Sequence, residues 1–321
     1  MKRYNVGINW NSLDDCYFAK TVKRLCRENR LSFLWIHDGN AKETLRGLYN
    51  RKARIDILID TDATYSDPDD IYARICYAVK DSAGIVINDP DNTQFAINKA
   101  IMYYKLLDMG LSTPYAIIIR KWHPKRVLLN RQDKARLGTP FIIKPAQGYA
   151  QKGIIRRASG TPYCIAKARA FDANDDYLLQ KKVNPMSING KRCWFRVFRI
   201  FDYILPCWWD DALSRYEHMS GYEFKKYNLT GLFDITTALA KSTGMVWFST
   251  EIAVTGTSKD GPVYAVIDYI NDQCDMTPIS QIPSGIPNHV VDFTAKVLIK
   301  NAAGLINDRY KARKGFKIYF R

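Results

Sequence analysis

Along the first 90 residues, short apolar runs alternate with longer amphipathic stretches. YNVGINW at 4–10 predicts a strand, and Asn11-Ser12 a helix cap opening a helix over 13–30. LSFLWIH at 31–37 predicts a second strand closed by Asp38-Gly39, followed by a helix over 41–51 and a third strand over 55–59. Ser66-Asp67-Pro68 opens a helix to about residue 81, and Ile85-Val86-Ile87 forms a fourth strand ending at Asn88-Asp89-Pro90. Strands alternating with helices of this length predict a mainly parallel sheet covered on both faces, a Rossmann-like unit. Its first turn lacks the G-x-G-x-x-G fingerprint, so no dinucleotide site is expected there.

Beyond residue 90 the pattern changes. A single helix is predicted over 92–110, with Phe95, Ile97, Ile101, Met102, Leu106 and Leu107 as one broad apolar face and Gly110 as the stop. Apolar runs predict strands over 115–119, 141–143, 162–170 and 177–179, the last two separated by an acidic turn at 172–176. CWFRVFRIFDYILPCWW at 193–209 is the most aromatic stretch, and its tryptophan pair reads as packing. A helix over 235–244, two strands over 245–254 and 263–270, a proline-rich loop over 278–287 and a helix over 288–306 complete the chain.

The length of 321 residues allows a large core without disulfide staples, and no apolar run is long enough for a membrane span. Seven cysteines without close C-x-x-C pairs predict reduced thiols and a cytoplasmic location. None of the four histidines is spaced with another as a zinc pair. The net charge of +16 changes the picture: residues 120–157 hold eleven Lys or Arg against one acid, Asp133, and residues 309–321 hold six with none. Such stretches suit an anionic ligand, a polyanionic partner or an acidic substrate, or they are solvated surface.

Two places carry candidate chemistry. LGTPFIIKPAQGYAQKGII at 137–155 runs from a strand through Lys144 into a loop holding Gly148 and Gly153. A fixed cation followed by a glycine loop suits polyphosphate binding; the alternative is a surface hairpin. Glu251 and Asp268 fall on the two strands joined by the turn at 256–261, with Asn271 close by and Asp272 as a substitute for it. This oxygen-rich set suits Mg²⁺ shared with phosphates, and two carboxylates held so close would repel unless a cation neutralised them.

Over roughly residues 99–276 these motifs and their order resemble the ATP-grasp superfamily, of the glutathione synthetase and ribosomal-protein glutamate ligase type. The resemblance implies a fold of mixed α/β and α+β class: a Rossmann-like domain over 1–90, then a two-lobed ATP-grasp domain over 91–321. Its glycine-loop lobe would span about 115–180 and its metal-binding lobe about 181–321. It implies that Lys99 and Lys144 hold ATP phosphates while the loop with Gln147, Gly148 and Gly153 covers them. Gln180, Lys181 and Val183 would form the hinge at the adenine edge, although the family often places an acid there. Arg196 would reach the transferred phosphate, with Arg199 on the opposite face of the strand. Glu251, Asp268 and Asn271 would hold Mg²⁺, but the asparagine follows the second acid by three residues instead of the family's two.

The implied activity is a carboxylate–amine ligase joining small-molecule or peptide substrates through an acyl phosphate. A kinase on the same fold needs the same ATP constellation. A non-enzymatic polyanion binder would use the basic stretches, but no nucleic-acid-binding motif is present and neither nucleic acid nor a membrane is an expected partner.

Overall fold

A computed structural model describes residues 1–11, 17–148, 152–259 and 261–315, with side chains through Asp308. Ser12 and the start of the first expected helix, the middle of the glycine loop and the end of the basic tail lie outside the described residues.

The first sheet is parallel throughout. Strands β1 (Lys2–Asn9), β2 (Phe33–Ile36), β3 (Ala53–Asp60) and β4 (Ile85–Ile87) run in the order β2-β1-β3-β4. The intervening helices are α1 (Tyr17–Glu28), α2 (Asp38–Tyr49) and α3 (Ile71–Asp81). Parallel neighbours need such crossovers, which cover both faces of the sheet. Phe18, Val22, Leu25 and Cys26 of α1 pack with Val6 and Ile8 on one face. Leu45 and Leu48 of α2 and Ile75 and Val79 of α3 pack with Ile55 and Leu58 on the other.

Two short helices follow where one was expected, α4 (Pro90–Ala96) and α5 (Lys99–Asp108). The break is made by Asn98, whose side chain accepts the N–H groups of Ala100 and Ile101 at 3.0 and 3.1 Å as an N-cap. Restarting the helix also rotates its apolar face. Ala96, Ala100, Met102, Tyr103 and Leu106 are buried, while Phe95, Ile101 and Leu107, expected inside, are exposed.

The second sheet holds β5 (Ala116–Ile119), β6 (Phe141–Pro145), β7 (Ile155–Ala158) and β8 (Tyr177–Gln180), antiparallel in the order β5-β8-β6-β7. Helix α6 (Arg131–Leu137) precedes β6, and α7 (Pro162–Arg169) precedes β8. Residues 162–170 are thus helical, against the expected strand. Thr161 caps Cys164 N–H at 3.2 Å, Pro162 occupies the first turn, and Ile165 and Ala168 are buried one turn apart. So short an apolar run fits either period, and the cap decides.

The third sheet orders its strands β13-β12-β11-β14-β15 and is antiparallel. A two-stranded ribbon, β9 (Ser187–Ile188) and β10 (Lys191–Arg192), leads into β11 (Trp194–Ile200), β12 (Tyr203–Asp210) and β13 (Arg215–His218). Helices α8 (Gly221–Lys226) and α9 (Gly231–Thr243) separate these from β14 (Trp247–Ser258) and β15 (Gly261–Asn271). Helix α9 ends on Gly244 at φ 71°, the left-handed cap that glycine adopts without strain. Both faces of this sheet are covered: Phe195, Val197 and Phe248 pack with α9, and Phe198 and Trp247 with the last helix, α10 (Asn288–Gly315). That is why 193–209 is so dense in aromatic residues. Trp208 and Trp209 belong to these two layers.

Helix α10 also packs on α1, so one apolar cluster joins the parallel sheet to the third sheet. Asn88, after β4, fastens the same junction by accepting the Val246 and Trp247 N–H groups at 2.9 Å and donating to the Trp247 carbonyl. Among the described residues no helix is long and apolar enough to cross a membrane, and the six described cysteines are unpaired.

The Asn98 cap yields a direct test. Asn98→Ala should lower unfolding stability by ~1 kcal/mol, and Asn98→Gly by only a few tenths. Urea denaturation checks this; equal losses in the two variants would mean that the side chain does not cap α5.

Candidate active site

The site lies where the second and third sheets meet. Lys144 of β6 is buried, and its ammonium crosses to the other sheet, donating to the Ile267 carbonyl at 3.1 Å and standing 3.9 Å from Asp268 Oδ1. It also sits 5.4 Å from the Tyr269 ring centre. A row of cross-strand neighbours continues from there: Asp268 faces Glu251, and Glu251 faces Arg196. Arg196 Nη1 donates to Glu251 Oε1 at 2.6 Å and Nε to Ser249 Oγ at 3.2 Å, while Trp194 Nε1 donates to Glu251 Oε2 at 3.1 Å. Arg199, three residues on, points to the other face of β11, 3.9 Å from Asp202.

Irregular pairing between β14 and β15 sets this row. Glu251 pairs with Asp268 but Ile252 pairs with Val266, so Ile267 is an extra residue. A second shift between Ser249 and Glu251 leaves Asn271 opposite Ser249. In a regular strand a three-residue interval would turn Asn271 to the face opposite Asp268. The bulge absorbs the additional residue and returns the asparagine to the same side. With its carbonyl oxygen turned to Arg196 Nη2, the Asn271 amide donates to the Gln273 carbonyl at 3.2 Å.

Lys99, the first residue of α5, donates through Nζ to the Gly148 carbonyl at 2.9 Å, and its N–H donates to the Ala146 carbonyl at 2.9 Å. It therefore grips the start of the glycine loop. Gln147 is exposed, and its N–H is held by Asp175 at 2.8 Å. Gly153 has φ +71°, and a Cβ there would meet the Phe171 ring at 2.6 Å, so both conformation and space call for glycine. At the expected hinge, Gln180 is buried and donates to the Tyr269 hydroxyl at 3.2 Å. The Lys181 N–H donates to the Tyr115 carbonyl at 2.8 Å while its side chain is exposed, and Val183 packs against the core.

No family model matches this sequence, and no curated protein matches it either. Solved structures do. D-cycloserine synthetase DcsG superposes with a TM-score of 0.63 at 11% identity over 92% of this chain and 99% of its own. D-alanine–D-alanine ligase from Bacillus anthracis, in complex with ATP, gives 0.63 at 12% over 96% and 99%. A RimK domain ATP-grasp protein from Sphaerobacter thermophilus DSM 20745 gives 0.61 at 11% over 91% and 98%. The chain has the ATP-grasp fold.

Within this ATP-grasp fold the charges at the sheet junction alternate. Burial lowers the Lys144 pKa from the usual lysine range, with Asp268 opposing. Burial pushes Asp268 up, but Lys99, Lys144 and Arg196 together outweigh it and hold the carboxyl below the usual range. Glu251 is raised by burial, against the pull of Arg196 and with the push of Asp268. The repulsion expected between the two carboxylates is therefore met by cations of the protein itself.

The sequence reading passed over Trp194, Ser249 and Tyr269, which orient this row. Trp194 precedes Arg196 by two residues and Ser249 precedes Glu251 by two, so strand alternation placed each on its partner's face. It also passed over the carboxyl-terminal edge of the parallel sheet. There Asp60 is buried and accepts from Asn9 Nδ2 at 2.6 Å and from Tyr65. Asp38 accepts from Asn11 Nδ2 at 2.9 Å and Tyr72 OH at 2.6 Å. Asp272, the alternative to Asn271, adjoins this edge and is pushed up to about 7 by burial and by Asp60.

Asp62 on the same edge is pushed up to about 6, by burial first and then by Asp60, Asp38 and Asp70, against the Asn11 N–H that it accepts at 2.6 Å. A carboxyl whose folded pKa is raised favours the fold fully below its unfolded value near ~4. That contribution is lost as pH rises through about 6. Asp62→Asn keeps an acceptor for Asn11 and should raise the melting temperature at pH 8, with the gain vanishing toward pH 4. A thermal melt series across this window checks it; a pH-independent difference would mean that Asp62 does not titrate there.

Proposed function

We propose that this chain is an ATP-dependent carboxylate–amine ligase that releases ADP and phosphate. The observation that carries the reading is the junction itself. A buried lysine from one sheet, Lys144, and a helix-start lysine, Lys99, converge on a carboxylate pair from another, with Arg196 completing the row. Fixed cations beside acids between two sheets suit a polyphosphate and the metal that accompanies it.

In this reading residues 1–90 and the cleft above them receive the substrates, and residues 91–321 bind ATP. The described lysine contacts leave N–H donors of Lys144 and Lys99 for phosphate oxygens, since an ammonium has three. The loop with Gln147, Gly148 and Gly153 covers them, and the backbone around Gln180, Lys181 and Val183 faces the adenine. The donor set fits Mg²⁺: Asp268 Oδ1 is buried without a hydrogen-bond partner among the described residues, and Glu251 and Asn271 add oxygens on the same face. Bound there, Mg²⁺ would neutralise phosphate charge. Unpaired thiols suit the cytoplasm.

The substrate carboxylate attacks the γ-phosphorus, the bond to the ADP oxygen breaks, and an acyl phosphate forms. The amine nitrogen then attacks the acyl carbon and loses a proton as phosphate leaves. Arg196, rigidified by Glu251, Ser249 and the Trp209 ring at 5.6 Å, is placed to meet charge on the transferred group. Positioning and charge neutralisation do the work, and no Ser or Cys nucleophile is needed.

A screen of acid and amine pairs with ATP and Mg²⁺ should yield ADP, phosphate and an amide, and hydroxylamine should trap a hydroxamate. AMP with pyrophosphate would reject this chemistry, and a stable phosphorylated product without amide would identify a kinase.

Lys144→Met and Asp268→Asn should each cut turnover by on the order of 100-fold, and Asp268→Asn should raise the Mg²⁺ requirement. Because three cations surround Asp268, its neutralisation should also lower metal-free stability at pH 7. That loss should close as pH falls below the ordinary carboxylate range, since a group with a depressed folded pKa contributes only above it. Normal turnover in a folded Lys144→Met variant would remove the phosphate role.

A further inference from the structure

Sequence spacing pairs none of the four histidines, but the fold brings two of them together. His218 ends β13, the edge strand of the third sheet, and His289 is the second residue of α10, 71 positions further on. Both residues are exposed. His218 Nδ1 stands 3.1 Å from His289 Nε2, and the rings cross at 83° with their centres 4.6 Å apart. The other two histidines are folded back on their own turns, where the Nδ1 atoms of His37 and His123 accept the Gly39 and Arg120 N–H groups.

Two arrangements can hold two imidazole nitrogens this close, a shared proton or a shared metal ion. In a collinear N–H···N bond of this length the ring centres would stand ~5.4 Å apart, because each nitrogen lies ~1.15 Å from its ring centre. Nitrogens 3.1 Å apart that each bind one ion at ~2.05 Å subtend ~98° at it, and their ring centres then stand ~4.8 Å apart. The observed 4.6 Å shows that the rings are bent off a common line, as convergence on one ion requires. Burial and the neighbouring His218 hold the His289 pKa below the usual histidine range, which leaves a ring nitrogen free of its proton at neutral pH.

The donors select the ion. Imidazole suits zinc, nickel and copper, whereas Mg²⁺ takes oxygen. Among the described residues no third His, Cys, Asp or Glu completes a metal cluster. The flanking acids Glu217 and Asp292 are engaged with Lys191 and Tyr17. Water would therefore fill the remaining positions, which makes the ion exchangeable. We propose that His218 and His289 form a two-nitrogen site for a divalent ion of the zinc and nickel type, clasping the β13 edge to the start of α10. Because α10 packs on both α1 and the third sheet, the ion fastens the helix that joins the two sheets. The site is separate from Glu251 and Asp268 and does not depend on the ligase reading.

The test titrates Zn²⁺ into the untagged full chain with Mg²⁺ in excess. Calorimetry should show one saturable site, and the melting temperature should rise with Zn²⁺ concentration. In the wild type the ring resonances of His218 and His289 should shift while those of His37 and His123 stay, and Ni²⁺ should broaden the same two. His218→Ala and His289→Ala should each weaken binding by at least about tenfold, since the second nitrogen no longer acts at high effective concentration. Asp268→Asn should bind Zn²⁺ as the wild type does. Absence of binding at about 0.1 mM Zn²⁺, unshifted rings at His218 and His289, or full affinity in both alanine variants would overturn the proposal. So would displacement by Mg²⁺ or loss of binding in Asp268→Asn, either of which would place the ion at the carboxylates.

Discussion

A buried ammonium is tolerated only where acceptors and opposite charge meet it, and Lys144 finds both on a sheet other than its own. That requirement ties β6 to β15 and fixes how the two sheets face each other. The Ile267 carbonyl accepts one ammonium N–H and Asp268 supplies the opposite charge. Removing either partner would leave a charge without its counterpart in a desolvated place. In the proposed ligase the remaining lysine donors would be the ones offered to phosphate oxygens.

The bulge around Ile267 is the second constraint. It sets Asp268 opposite Glu251, and the separate shift between Ser249 and Glu251 carries Asn271 onto their side in spite of the three-residue interval. Glu251 then serves two neighbours, Arg196 and Trp194, and keeps the guanidinium from swinging away. Order in the row is thus produced by strand pairing, not by the length or flexibility of any one side chain.

The parallel sheet is fastened to this centre by packing and by one amide. Helix α10 inserts between α1 and the third sheet, and Asn88 bridges to the backbone of β14. Gln273, just beyond Asn271, reaches back to the Ala63 carbonyl after β3. The acidic carboxyl-terminal edge of the parallel sheet therefore adjoins the junction, where open α/β sheets commonly receive ligands. In the proposed ligase this edge would favour a substrate group of positive or hydrogen-donating character.

By itself the sequence determined the periodic elements. The alternating strands and helices of residues 1–90 and the hairpin of β14 and β15 follow from hydrophobic period and turn residues alone. So does the presence of Lys144 at a strand end and of acids at 251 and 268, because charged residues inside apolar runs stand out. Where local signals tie, sequence does not decide: 162–169 became helix through the Thr161 cap, and Asn98 split the expected helix at 92–110. Only the tertiary structure decided that Lys144 crosses to another sheet, that a bulge realigns Asn271, and that Trp194 and Ser249 brace the row. These depend on register and on contacts between residues more than fifty positions apart, and hydrophobic periodicity carries no information about either.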